Sequence, residues 1–293
     1  PQRILHGIQF IINFEISRKI SIIILAVILT GYIAFTVNDL FVYELTEFGD
    51  FNQVSYTITH YSFEDSDGFT PYVWWYLITW SQEIFQNVKI IPFIASISLV
   101  FLTYLFTLEI TKKRFAGIIS MLILLQSFIF LRYDTIASYA NFWVVFYLLS
   151  LYLVYKKWYL SHISYVLSIF AKPITIVFLP TIFFTVLNSD FTKKKKTYTL
   201  LPFIMISLVL TFGMLFVGGK VYGSNLELDL SKFLYSFTAF SFELRFDFLI
   251  LFCTIPLIVG LFIVSKKNTR GANTIMVLIL GSLLLQPIMG GLT

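Results

Sequence analysis

Residues 38–70 hold seven carboxylates, Asp39, Glu44, Glu47, Asp50, Glu64, Asp65 and Asp67, and no Lys or Arg. Solvation of an exposed loop accounts for most of them, and Glu64, Asp65 and Asp67 read as a hydrophilic loop tip. Asp50 differs because it is embedded in Phe48-Gly49-Asp50-Phe51, with Tyr56 and His60 following. A carboxylate among aromatic rings loses hydration, which raises its pKa and suits it to acid–base or metal work. A second group lies at Arg132-Tyr133-Asp134. There, Arg132 and Asp134 either pair with each other, which contributes little at a wet surface, or Asp134 faces the same cavity as Asp50 and Arg132 receives a phosphate. Lys172 interrupts an apolar stretch just before Pro173 and would point into that cavity, while Glu243 and Arg245 precede a later apolar run. Two carboxylates with several cations suit an anionic lipid-linked substrate, the acids serving sugar transfer and the cations holding phosphate.

The elements that must position these residues are membrane helices. The chain is 58% hydrophobic and 13% charged, with 33 Phe among 293 residues, and its mean hydropathy is +0.83. Soluble domains are about 45–50% apolar and about 25% charged, so lipid must solvate part of this surface. Apolar runs at 20–37, 89–110, 116–131, 142–155, 163–187, 198–219, 247–265 and 274–289 predict an all-α, polytopic transmembrane bundle of about eight or nine spans, one membrane domain over 1–293. Residues 1–19 form an amphipathic interfacial lead-in. Residues 38–88 form an extracytoplasmic loop that ends in an interfacial helix, marked by Pro71 and by Trp74, Trp75 and Trp80. The single cysteine, Cys253, sits in an apolar run and rules out a disulfide framework. No initiator Met is present and the chain stops at Gly290-Gly291-Leu292-Thr293 beside an apolar run, so both ends read as trimmed.

Orientation follows from the clusters Arg18-Lys19, Lys112-Lys113-Arg114, Lys156-Lys157, Lys193 to Lys196 and Lys266-Lys267 with Arg270. Basic clusters mark the cytoplasmic side. All of them reach it only if 163–187 is two short legs broken at Lys172-Pro173, one rising and one returning, because proline disrupts a helix interior. Nine residues of helix rise only about 13 Å, so the first leg must stand in protein rather than lipid. The cytoplasmic side then carries a net +12 and the outer side −7, matching the total of +5. A multi-pass plasma-membrane protein with a cytoplasmic N-terminus is the expectation. Short basic clusters between apolar runs are an orientation signal, and no nucleic-acid partner is expected.

The order of features resembles the membrane-embedded glycosyltransferases of the GT-C superfamily, in the style of the protein mannosyltransferases and aminoarabinose transferases. The resemblance rests on Asp50 with Tyr56 in the first loop, Gly68-Phe-Thr-Pro71 before an aromatic helix, Lys112 to Gly117, Arg132 with Asp134, and Phe170-Ala-Lys172-Pro173. It covers roughly residues 20–190. It implies transfer of a monosaccharide from a polyprenyl-phosphate carrier to a glycan, lipid or protein acceptor. Asp50 would be the catalytic base or a metal-binding acid, Asp134 the second acid, and Lys172 the contact to the carrier phosphate. Arg132, His60 and Arg245 complete the candidate substrate-binding set. Many relatives have Glu directly after the first-loop Asp, whereas Phe51 stands here, which favours a base over a metal ligand; nothing in the sequence requires the divalent ion. Two other readings fit the same topology. A non-enzymatic membrane subunit of a larger complex would need no converging acids. A transporter of lipid-linked sugars would be expected to show paired repeats and ionisable groups at the midplane.

Overall fold

The computed structural model describes residues 14–41, 50–62, 72–138 and 140–217, with Ser231 and Leu234. Every regular element among the described residues is helical. Helix α1 spans Arg18–Thr36 and runs on through a 3-10 turn, Val37–Phe41. Its start is fixed by Ser17, whose hydroxyl accepts from the Ile20 amide at 3.4 Å. Helix α2 is Asp50–His60 and α3 is Tyr72–Phe85. Helix α4, Ile90–Thr111, ends where Lys112 adopts φ 58° and returns its amide to the Leu108 carbonyl. Helices α5 (Arg114–Leu125) and α6 (Phe128–Tyr133) follow, then α7 (Phe142–Lys156) and α8 (Trp158–Ala171). A 3-10 segment, Pro173–Phe178, leads into α9 (Leu179–Asn188) and α10 (Lys193–Val217).

Among the described residues, three stretches are long and apolar enough to cross a membrane: Arg18–Phe41, Ile90–Thr111 and Lys193–Phe212. The expected span 116–131 is instead two helices. Ser127 caps a new helix by accepting from the Phe130 amide at 3.1 Å, which breaks the chain after Gln126. Residues 50–60, read from the sequence as loop, form α2. Val54 and Ile58 stand four residues apart on its inward face. The expected spans 247–265 and 274–289, and most of the lead-in 1–19, lie outside the described residues.

Cross-links between helices give the directions. Tyr104 of α4 bonds Ser21 at 2.7 Å and Phe93 packs on Tyr32, so α1 and α4 are antiparallel. Helices α7 and α8 form an antiparallel hairpin, with the Ser164 hydroxyl donating to the Phe146 carbonyl at 2.7 Å. The break at Lys172-Pro173 is present, because a residue before proline is forced out of the helical region and Lys172 is extended (φ −158°, ψ 110°). The chain then folds back: Thr175 Oγ1 donates to the Ser168 and Lys172 carbonyls, and Tyr147 donates to the Phe178 carbonyl at 2.9 Å. Helix α9 thus descends beside α7, and α10 rises beside α8, with His162 on the Thr199 carbonyl at 2.9 Å and Tyr165 on Ser207 at 3.1 Å.

The basic clusters among the described residues consequently gather at one end of the bundle, while Lys266, Lys267 and Arg270 lie outside those residues. Glu109 bridges Lys112 on its own helix and Lys156 on α7, the latter at 2.6 Å. Glu15 accepts from both the backbone and the guanidinium of Arg114. The His162–Thr199 contact brings Lys156-Lys157 and Lys193 to Lys196 to that same level.

Candidate functional site

The opposite end of the bundle holds the polar chemistry. The segment between α6 and α7 is pinned there from three sides. Trp74 Nε1 of α3 donates to the Ala137 carbonyl at 2.8 Å, and Ser96 Oγ of α4 donates to the Asp134 carbonyl at 2.7 Å. Asn141 donates to that same Ser96 oxygen at 3.0 Å. From α1, the Tyr32 hydroxyl donates to Asp134 Oδ2 at 2.7 Å.

Asp134 is only 1% exposed, and its second oxygen, Oδ1, is buried without a hydrogen bond. Burial pushes its carboxyl up to about 7; the Tyr32 hydrogen bond opposes this, and the negative charge of nearby Asp39 adds to it. Asp39, on the 3-10 turn after α1, is exposed. Lys89 precedes the first turn of α4, is fully buried, and places Nζ 3.5 Å from the Asp39 carbonyl. Asn87 links the same parts: its Nδ2 donates to the Leu40 carbonyl at 2.9 Å and its Oδ1 accepts from the Lys89 amide at 2.9 Å. Ser81 of α3 completes this seam, donating to the Asn87 carbonyl at 2.6 Å and accepting from the Ile91 amide at 3.1 Å.

The residues expected from the sequence fall as follows. Asp134 is turned inward onto Tyr32 instead of pairing with Arg132 or facing open space, because Tyr32 offers a hydroxyl from the neighbouring helix. Arg132 is half-buried, with its guanidinium 5.9 Å from the centre of the Tyr133 ring. Lys172 is exposed, its ammonium 5.8 Å from the centre of the Trp143 ring. His60 is exposed on α2, stacked on Tyr56 at 4.0 Å, with Nδ1 3.0 Å from the Tyr56 carbonyl. Asp50 opens α2, but its side chain lies outside the described residues, as does Arg245. Among the described residues no three His, Cys, Asp or Glu side chains gather into a group that could hold a metal ion.

One hydrophobic cluster ties the carriers of these groups together. Val54 of α2, Ile78 of α3, Val88 and Ala95 beside and within α4, Ala137, Phe142 and Ala171 pack as a unit. Val54 is one turn from Asp50, Ala137 three residues from Asp134, and Ala171 adjacent to Lys172.

Sequence reasoning passed over Tyr32, Asn87 and Lys89. Each carries a legible signal: the one tyrosine of an aliphatic-rich span, and an Asn-x-Lys immediately ahead of the Ile90–Thr111 helix. A buried lysine at such a junction is costly unless it is held, and so marks a polar seam.

No protein-family model matches the chain, and no curated protein and no solved structure matches it either.

Proposed function

We propose that this chain is a membrane-embedded, GT-C-like glycosyltransferase that moves a monosaccharide from a polyprenyl-phosphate carrier to an acceptor hydroxyl at the outer face of the plasma membrane. In this reading the chain crosses the bilayer eight or nine times with its N-terminus in the cytoplasm, and it places the acidic end of the bundle outside. The supporting observation is the shared cluster of Val54, Ala137 and Ala171, which brings the segments bearing Asp50, Asp134 and Lys172 to one end of the molecule, opposite the basic clusters.

The chemistry is a displacement at the anomeric carbon. The acceptor oxygen forms a bond to that carbon as the bond from the carbon to the carrier phosphate oxygen breaks. The hydroxyl proton passes to the Asp50 carboxylate, and the polyprenyl phosphate leaves with the electron pair. Lys172 and Arg132 receive the phosphate charge, where positioned cations act most as that charge develops. His60, exposed near the end of α2, and Arg245 contact the sugar and the carrier. Asp134 acts as a positioning residue, since its carboxylate is buried on Tyr32 and fixes the segment between Arg132 and Phe142.

Asp50→Asn keeps the shape and removes the base. In membranes supplied with radiolabelled polyprenyl-phosphate sugar, its transfer rate should fall by about 10²–10⁴-fold, the usual contribution of a general base. Unchanged transfer by correctly inserted Asp50→Asn protein would remove Asp50 from the mechanism.

A further inference from the structure

Helix α9, which descends toward the basic end, presents an apolar groove of about 340 Å³ lined by Leu179, Pro180, Phe183, Phe184 and Leu187. These residues recur every three or four positions, so they share one face of the helix. They extend about 12 Å along its axis. Phe184 and Leu187 are exposed. The groove ends at the run Lys193 to Lys196. Lys196 Nζ donates to the carbonyl of Leu187, which is itself a groove residue. The Lys195 ammonium sits 3.8 Å from the centre of the Phe191 ring, and the Lys194 ammonium 5.9 Å from that of Tyr198. Lys193 and Lys194 are exposed, and none of the four lysines makes an ion pair with a carboxylate among the described residues. The acid nearest in sequence, Asp190, is exposed in the connection ahead of them.

We propose that this groove and the lysines at its mouth form a binding site for one anionic phospholipid of the bilayer, its acyl chain along α9 and its phosphate against Lys193 and Lys194. The pairing of surfaces carries the assignment. An apolar groove takes a hydrocarbon chain, and it opens on ammonium groups that no carboxylate among the described residues neutralises. Orientation alone requires lysines on that side but no groove leading to them. Juxtamembrane lysines attract anionic headgroups, and basic pockets beside membrane helices hold them. The site is independent of the sugar-transfer reading, because it lies at the other end of the bundle.

The test uses the purified full chain in neutral detergent, titrated with phosphatidylglycerol or phosphatidylcholine, with retained lipid counted by native mass spectrometry. Phosphatidylglycerol should be retained in preference. The paired change Lys193→Gln with Lys194→Gln should weaken its retention by about 25-fold, about fivefold for each charge removed, and leave phosphatidylcholine unaffected. The pair Lys112→Gln with Lys113→Gln, at the same end but away from the groove, should change retention by less than about twofold on the same scale. Phosphatidylglycerol carrying a photoreactive acyl chain should crosslink to Phe183, Phe184 or Leu187. Equal retention of the two lipids, or an equal loss in both lysine pairs, overturns the proposal. So does crosslinking that misses α9, as would follow if residues 247–289 of the chain itself cover the groove.

Discussion

Replacing Asp134 by Asn should make the protein more stable at neutral pH and leave its stability in acid nearly unchanged. In the folded state burial holds the Asp134 carboxyl protonated up to about pH 7, whereas in an unfolded chain it ionises near its ordinary value of about 4. Between those two values the folded state binds the extra proton, so stability falls as pH rises through this window and levels off above it. A displacement of that size corresponds to on the order of 4 kcal/mol, fully present below pH 4 and lost by about pH 7. Asn cannot ionise, so its variant lacks this loss. Asn also keeps an oxygen for the Tyr32 hydroxyl, but it sets an amide N–H where Oδ1 is now buried without a partner. That orphaned donor costs about 1–3 kcal/mol, but the protonated acid carries an O–H at the same unpartnered place, so the cost distinguishes the two proteins only where Asp134 is ionised. The balance is a variant more stable by about 1–3 kcal/mol at pH 7.5 and close to wild type below pH 4. Thermal unfolding of the detergent-solubilised protein, followed by intrinsic fluorescence from pH 4 to 8, measures both limits. Asp39→Asn supplies an internal check: removing that charge should lower the Asp134 pKa and move the wild-type loss of stability to lower pH. If Asp134→Asn retained the wild-type pH slope, the buried carboxyl would not be the titrating group and the assignment would fail.

Two further substitutions probe the packing and the cationic site. Gly117→Ala would put a Cβ 2.7 Å from Tyr104 Cδ2 and 3.1 Å from its carbonyl oxygen; the ring is tethered by its bond to Ser21, so about 1–3 kcal/mol of stability should be lost, read as a lowered unfolding temperature. Lys172→Gln should raise the KM for the polyprenyl-phosphate donor more than it lowers kcat, with Lys172→Arg restoring most of the loss; an unchanged KM would place the carrier phosphate elsewhere.

Apolar length located the long helices, because a span must be apolar over its whole length: Arg18–Thr36, Ile90–Thr111 and Phe142–Lys156 end within a few residues of the apolar limits, whereas the break after Gln126 was not visible in it. Charge segregation was legible for the same reason: Lys112, Lys156 and Lys193 each follow or precede a span, and Glu109 and His162 join their helices at that level. The polar seam was not legible. Tyr32, Ser96 and Asp134 are distant in sequence and meet only because α1 and α4 pack antiparallel, a property of side-chain fit that no local pattern carries. The burial of Asp134 was missed for a related reason. Its neighbours in sequence, Arg132, Tyr133 and Thr135, read as surface residues, while the groups that cover and bond it come from other helices. Helix α2 was hidden because its few apolar residues sit among acids and hydroxyls that read as loop until Ile78 and Val88 supply something for Val54 to pack against.

The Lys172-Pro173 pair decides more of this architecture than any other dipeptide in the described chain. Had α8 continued straight through residue 172, the chain could not have turned back, and Lys193 to Lys196 would have emerged at the end that holds Asp39 and Asp134. The proline forces Lys172 into an extended conformation, and Thr175 stabilises the reversal, its hydroxyl donating to the Ser168 and Lys172 carbonyls, which also accept from the Lys172 and Thr175 amides. Two consequences follow from one backbone event. The four lysines return to the basic end, which preserves the charge asymmetry between the two ends. Lys172 itself is left exposed beside Trp143, on the segment whose preceding residue, Ala171, packs with Val54 and Ala137. A cation at the point of a broken helix is therefore a product of the topology, and in the proposed reaction it is the group that meets the carrier phosphate.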